Sequence, residues 1–191
     1  MSAAPWALGA MTLLAAATWA LSVLKRDVSI VDSVWSLMIA LGAAVYMLES
    51  GADHPRTLAV ALLVALWSIR LALYITLRNW GEGEDRRYQA IRARNEPNFA
   101  LKSLYLVFVL QAVLAWIVSL TLLAALQGVR PWNWLDTLAS ALVIFGVAFE
   151  TLADWQMSRF KADKANHGKV MDRGLWRYSR HPNYFGECCV W

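Results

Sequence analysis

SLYLVFVLQAVLAWIVSLTLLAALQGV, residues 103–129, contains no charged side chain. A helix rises about 1.5 Å per residue, so about 20 apolar residues carry it across the hydrocarbon of a bilayer, and this stretch is longer than that. On either side of it lie four more runs of similar length. Pro5 to Leu24 is also free of charge, Val28 to Leu48 is interrupted only by Asp32, Thr57 to Leu77 only by Arg70, and Thr137 to Met157 by Glu150 and Asp154. The first run lacks a basic leader and is too long for the apolar part of a signal peptide, so it reads as a membrane helix. The pattern predicts an all-α fold, a polytopic membrane bundle of five transmembrane helices. It forms a single membrane-embedded domain over residues 1–191, without internal repeats or a Gly/Ser- or Pro-rich linker.

Composition agrees with this reading. Hydrophobic residues make up 59% of the chain and charged residues 17%, against roughly 25% charged in a soluble domain. After filling a core, too few polar residues remain to cover a surface facing water. The two cysteines are adjacent, Cys188 and Cys189, and the three histidines are scattered, so neither a disulfide framework nor a metal site is expected.

The connecting segments give the orientation. Those after the first, third and fifth spans hold Lys25 and Arg26, then Arg78, Arg86, Arg87, Arg92, Arg94 and Lys102, then Arg159, Lys161, Lys164, Lys169, Arg173, Arg177 and Arg180. The opposite side has only Arg56 and Arg130. By the positive-inside rule the basic side is cytoplasmic and the N-terminus outside. Trp6, Trp80, Trp132 and Trp134 fall near span ends, where aromatic belts lie. The net charge of +4 therefore reflects orientation and contact with anionic lipid, and no nucleic-acid partner is expected.

Ionisable residues within spans are costly and point to function. Asp32, Arg70, Glu150 and Asp154 are all displaced toward the cytoplasmic ends of their helices, in position to line a polar cavity. Residues three or four apart share a helix face, which groups Asp32 with Trp35, Trp67 with Arg70, Tyr74 and Arg78, and Glu150 with Asp154 and Met157. The segment NWGEGEDRRYQAIRARNEPN, Asn79 to Asn98, reads as a solvated loop whose EDRRY cluster either pairs internally or grips a phosphate. VMDRGLWRYSRHPNYFGE, Val170 to Glu187, combines cations, aromatic faces, an Asn and a Glu next to a new apolar stretch. These groups suit a nucleotide.

ETLADWQMSRFK (Glu150 to Lys161) followed by DRGLWRYSRHPNYFGE resembles the C-terminal part of the steroid 5-alpha-reductase superfamily, specifically its bacterial DUF1295 branch. DVSIVDSVW (Asp27 to Trp35) and LWSIRLALYITLRNWGEGEDRRYQAIR (Leu66 to Arg92) fit that branch as well. The resemblance implies an integral membrane reductase, expected in a bacterial inner membrane. It would bind NADPH on the cytoplasmic side and reduce an activated carbon–carbon double bond in a hydrophobic, lipid-like substrate. No metal is implied. The cofactor residues it implies are Asn79, Glu150, Asp154, Lys161, Lys169, Tyr178, Arg180, His181, Asn183, Tyr184 and Glu187. Superfamily members hold the substrate ketone with a Glu and a Tyr. Trp67 stands at the matching helix-three position, so Asp32, Trp67, Arg70 and Tyr74 are the candidate catalytic residues. The chain stops at Trp191, within what the resemblance makes a sixth helix, so a C-terminally incomplete fold is expected. Two other functions compete. Membrane methyltransferases that use S-adenosylmethionine share the Arg-His-Pro-x-Tyr-x-Gly core of Arg180 to Gly186, and some sterol-reductase relatives are non-catalytic sterol-binding scaffolds.

Overall fold

The computed structural model describes residues 3–51, 54–128 and 130–191. Every regular element among them is helical. The helices are α1 (Ala3–Lys25), α2 (Ile30–Ser50), α3 (Pro55–Asn79), α4 (Arg86–Asn95), α5 (Phe99–Leu126), α6 (Trp134–Ala162) and α7 (Pro182–Val190). Five of them, α1, α2, α3, α5 and α6, are long and apolar enough to cross a membrane. They are the five spans expected from the sequence, and the protein is built as a polytopic membrane helix bundle. Val129, where the uncharged run ends, lies outside the described residues. The chain divides into two compact units, the first ending at Pro131 and the second running Trp132–Trp191.

In the first unit α2 is central, packed along α1, α3 and α5. On α1 and α3 most of the positions turned inward are small or polar, with Met11, Val64 and Trp67 as the larger ones. On α1 they are Ala3, Ala7, Met11, Ala15, Thr18 and Ser22. On α3 they are Thr57, Val64, Trp67, Ser68 and Ala72, while Leu58, Leu62, Leu66, Ile69, Leu73 and Leu77 are exposed. A water-soluble helix would reverse this arrangement. Lipid is as apolar as leucine, so burying leucine against protein gains little. The helices are held instead by close packing of small residues and by hydrogen bonds. Tyr46 and Ser119 share a hydrogen bond of 2.8 Å between α2 and α5. The Ser36 hydroxyl donates to the Ser68 carbonyl at 3.0 Å between α2 and α3, and the Trp116 indole to the Ala4 carbonyl at 2.8 Å.

Within α5, Leu104–Val109 has π-helical pitch. Its inward positions run Phe99 and Ser103, then Val107 and Phe108, then Ala112, Ala115, Ser119, Leu122 and Leu126. The wider turn takes up one extra residue, so both halves of the helix keep their buried face on the bundle.

In the second unit α6 starts at Trp134, three residues before the apolar run suggested. The Asn133 side chain accepts from the Leu135 N–H at 2.8 Å, and Asp136 accepts from the Asn133 N–H at 3.0 Å. Together they satisfy donors that a helix N-terminus otherwise leaves open. At the other end α6 continues through Arg159 and Lys161, which lie in its last turn, where cations suit the helix dipole. The predicted sixth helix is present as the short α7.

Candidate functional site

At the basic end of the first unit, the segment after α3 folds back on the turn between α1 and α2. The N–H of Val28 donates to Glu84 Oε1 at 3.0 Å, and Arg92 grips the same carboxylate at 2.9 and 2.7 Å. Asp85 caps α4 by accepting from the Arg87 N–H at 2.8 Å, and its own N–H donates to Ser29 Oγ at 3.2 Å. Arg87 bridges two carboxylates, donating to Asp85 at 3.0 Å and to Asp32 Oδ2 at 2.9 Å. The Tyr88 hydroxyl donates to Asp32 Oδ1 at 2.6 Å. Both oxygens of Asp32 are therefore engaged, by a cation and a phenol supplied from α4.

The electrostatics follow from these contacts. Burial alone would raise the Glu84 carboxyl, but hydrogen bonds from Arg92 and Val28 outweigh it and hold the group below the ordinary carboxylate range. The Arg87 hydrogen bond does the same for Asp85. Tyr88 moves the other way: burial pushes its phenol well above the usual value, and donation to Asp32 adds to the shift.

On α3, the Tyr74 ring lies between Arg70 and Arg78, with guanidinium carbons 5.5 and 5.7 Å from its centroid. Arg78 Nε also donates to the Asn79 side chain at 3.1 Å. This is the stripe expected from helical spacing. Trp67 is buried, 1% exposed. Two interior polar atoms of this unit, Trp35 Nε1 and Ser68 Oγ, are buried without a hydrogen-bond partner. Such atoms cost on the order of 1–3 kcal/mol each when left unpaired, so they mark a place where a ligand or water would be stabilised.

In the second unit the crossing of α6 and α7 fixes the chemistry. A Cβ on Gly186 would lie 2.8 Å from Glu150 Cβ and 2.7 Å from the Gly146 carbonyl oxygen, and a Cβ on Gly146 would lie 2.6 Å from the Gly186 carbonyl oxygen. Only glycine at both positions lets the backbones approach so closely. The RHPNYFG motif is thereby seated on α6 next to Glu150, which is buried, as is Asp154. The preceding loop is pinned to α6 by the Trp176 indole on the Ala153 carbonyl at 2.9 Å and the Leu175 N–H on Gln156 at 2.9 Å. Gly174, at φ 58° in the left-handed region, packs over Gln156. Asn183 Oδ1 is buried without a hydrogen-bond partner. His181 and Tyr184 stack at 4.8 Å, and Tyr178 and Arg180 are exposed. Glu187 accepts from the Trp191 indole at 3.0 Å. Beyond the last turn of α6 is a cavity of about 750 Å³ lined by Lys161, Lys164, His167 and Lys169 over Met157, Phe160 and Met171.

Residues 18–191 match the family model described as "Protein of unknown function (DUF1295)". The chain belongs to the DUF1295 family. This family is part of the steroid 5-alpha-reductase-like group. An uncharacterized protein of Schizosaccharomyces pombe is 29% identical over 203 residues, covering 91% of this chain. The chain spans 58% of that relative's own length. No solved structure matches the chain.

In this DUF1295 chain the expected site residues fall into two groups, one per unit. Asp32, Trp67, Arg70, Tyr74 and Asn79 belong to the first. Glu150, Asp154, Lys161, Lys169, Tyr178, Arg180, His181, Asn183, Tyr184 and Glu187 belong to the second. Lys161 and Lys169 share the basic cavity, and Glu150 and Asp154 share a buried face of α6. Of the two roles open to the EDRRY cluster, it takes the pairing one. What the sequence did not single out is that Tyr88 and its neighbour Arg87 are the partners of Asp32. Asp85 followed by Tyr88 and Ile91 was the available signal, a helix cap ahead of an apolar face.

Proposed function

We infer that this protein is an integral membrane reductase that binds NADPH through residues of its second unit and reduces an activated double bond in a hydrophobic substrate. The observation that carries the reading is Asn183, a buried amide oxygen with no partner on a helix packed against α6 beside the buried Glu150. The donor set fits the cofactor. Asn183 accepts from an amide or hydroxyl, Glu150 and Asp154 from ribose hydroxyls, and Lys161 and Lys169 neutralise phosphate. Exposed Tyr178 and the His181–Tyr184 stack offer flat faces to a ring. Bound NADPH supplies the hydride.

On the substrate side, Asp32 is tied to Arg87 and Tyr88 and so acts as an anchor for α4. The Trp35 indole N–H, one turn along α2 from Asp32 and buried without a partner, is available to donate to a substrate carbonyl oxygen. With the basic residues placed at the cytoplasmic face by the positive-inside rule, the nucleotide enters from the cytoplasm and the substrate from the bilayer.

Thermal shift of the detergent-purified protein with NADPH, NADH and S-adenosylmethionine tests this. Stabilisation by NADPH, reduced at least tenfold in apparent affinity by Asn183→Ala and by Asp154→Ala, is the expected result. A response to S-adenosylmethionine alone would establish the methyltransferase reading instead, and no response to any of the three would favour a scaffold. Trp35→Phe is expected to leave NADPH affinity unchanged while raising KM for an enone substrate.

A further inference from the structure

A separate cavity of about 340 Å³ opens at the basic end of the first unit, beside the end of α1 and the start of α5. Its walls include Val23, Val28 and Phe99, and its cations are Arg26 and Arg92. Arg92 is already neutralised by Glu84 and lies over the Phe99 ring at 4.6 Å. Of the other carboxylates nearby, Glu96 acts on Arg92, and Asp27 accepts from the Ser29 N–H at 2.9 Å and from the Ser29 hydroxyl. Arg26 is thus the cation left to meet an anion.

Its backbone strengthens the case. Arg26 closes α1 in the left-handed region at φ 54°. The Asp27 N–H reaches the Ser22 carbonyl at 3.0 Å and the Arg26 N–H the Val23 carbonyl at 3.3 Å. This is the paired termination in which glycine normally occupies the left-handed position. Any residue with a Cβ is disfavoured there, so the turn gains nothing from arginine that glycine would not supply better. What arginine adds is a guanidinium in the lining of a cavity that also has the apolar walls Val23, Val28 and Phe99, at the basic end of the helices.

We propose that this cavity binds a phosphate anion, that of an anionic phospholipid headgroup, with Arg26 as its principal partner. Basic pockets between membrane helices suit such headgroups because charge and acyl chain are satisfied together. The site is distinct from the cofactor residues of the second unit and does not depend on the proposed reductase activity.

The test uses the purified protein without nucleotide, titrated with dihexanoyl phosphatidylglycerol, dihexanoyl phosphatidylcholine and inorganic phosphate, and read by native mass spectrometry and thermal shift. One equivalent of phosphatidylglycerol should bind saturably and phosphatidylcholine should not. Arg26→Gly should keep or raise the ligand-free melting temperature and weaken phosphatidylglycerol binding at least tenfold. Arg26→Asn, which also tolerates the left-handed region, repeats the measurement should the glycine variant be poorly produced. Lys25→Gln removes the same charge one residue away, outside the cavity, and should bind as the parent does. Inorganic phosphate binding that Arg26→Gly abolishes would support the anion site and identify its source as free phosphate. The proposal is overturned if neither ligand binds the parent protein, if Arg26→Gly binds undiminished, or if Lys25→Gln loses as much as Arg26→Gly.

Discussion

Tyr88 donates to a carboxylate 56 residues earlier in the chain, and a single hydroxyl carries that contact. Tyr88→Phe keeps the buried ring and removes the bond. A hydrogen bond to a charged group is worth about 1.5–3 kcal/mol, so the first unit should lose roughly that much, seen as a lower melting temperature and faster proteolysis between residues 79 and 98. The same docking depends on pH at both extremes. Glu84 and Asp85 titrate below their ordinary values when folded. Their contribution is therefore complete above about pH 4–5 and fades as acid is added. Tyr88 is raised when folded, so its contribution holds below about pH 10 and fades above it. Proteolysis of this segment across pH should show a protected plateau between these limits. Asp32 stood out in the sequence as a charge within a span, whereas its partner did not. Tyr88 lies in a stretch whose composition is that of a solvated loop, and its role exists only once α4 is laid against α2.

Glycine decides how α6 meets α7. With backbone atoms under 3 Å from a Cβ built on Gly186, Gly186→Ala must push the helices apart. Overpacking of this kind costs about 1–3 kcal/mol, and NADPH stabilisation should fall with it if Asn183 acts as proposed. Gly9→Ala is the control: nothing lies within 4 Å of its Cβ position, and in a helix the exchange gains up to about 1 kcal/mol. The long elements were readable because each spanning helix is a run of uncharged residues, a signal that needs no tertiary context. Their ends were less so. The run beginning at Thr137 hid the Asn133 and Asp136 cap, and the charged last turn of α6 looked like loop. The polar α4 is not legible in the sequence because its one buried residue, Tyr88, is too little for a hydrophobic period to register.

For the molecule as a whole, the basic residues predict orientation in a way that labelling can check. After replacement of Cys188 and Cys189 by serine, cysteines at Ala90 and Asp172 should react with an impermeant maleimide only in permeabilised cells. Cysteines at Glu49 and Gln127 should react in intact ones. The opposite pattern would invert the orientation and the proposed side of nucleotide access. Each candidate site residue is read from its motif or helical spacing, but the unpaired atoms of Trp35, Ser68 and Asn183 are not, since a missing partner is a property of packing.

The π-helical turns of α5 separate two registers on one rod. Beyond them Ser119 keeps its bond to Tyr46, and before them Phe99 keeps its place under Arg92. Forcing ordinary pitch on Leu104–Val109 with every residue kept would turn one half by about 100° against the other, whereas deleting one residue would restore that pitch and leave both faces aligned. This short stretch thus acts as an offset coupling, letting the basic end and the membrane interior of one continuous helix each hold its own alignment.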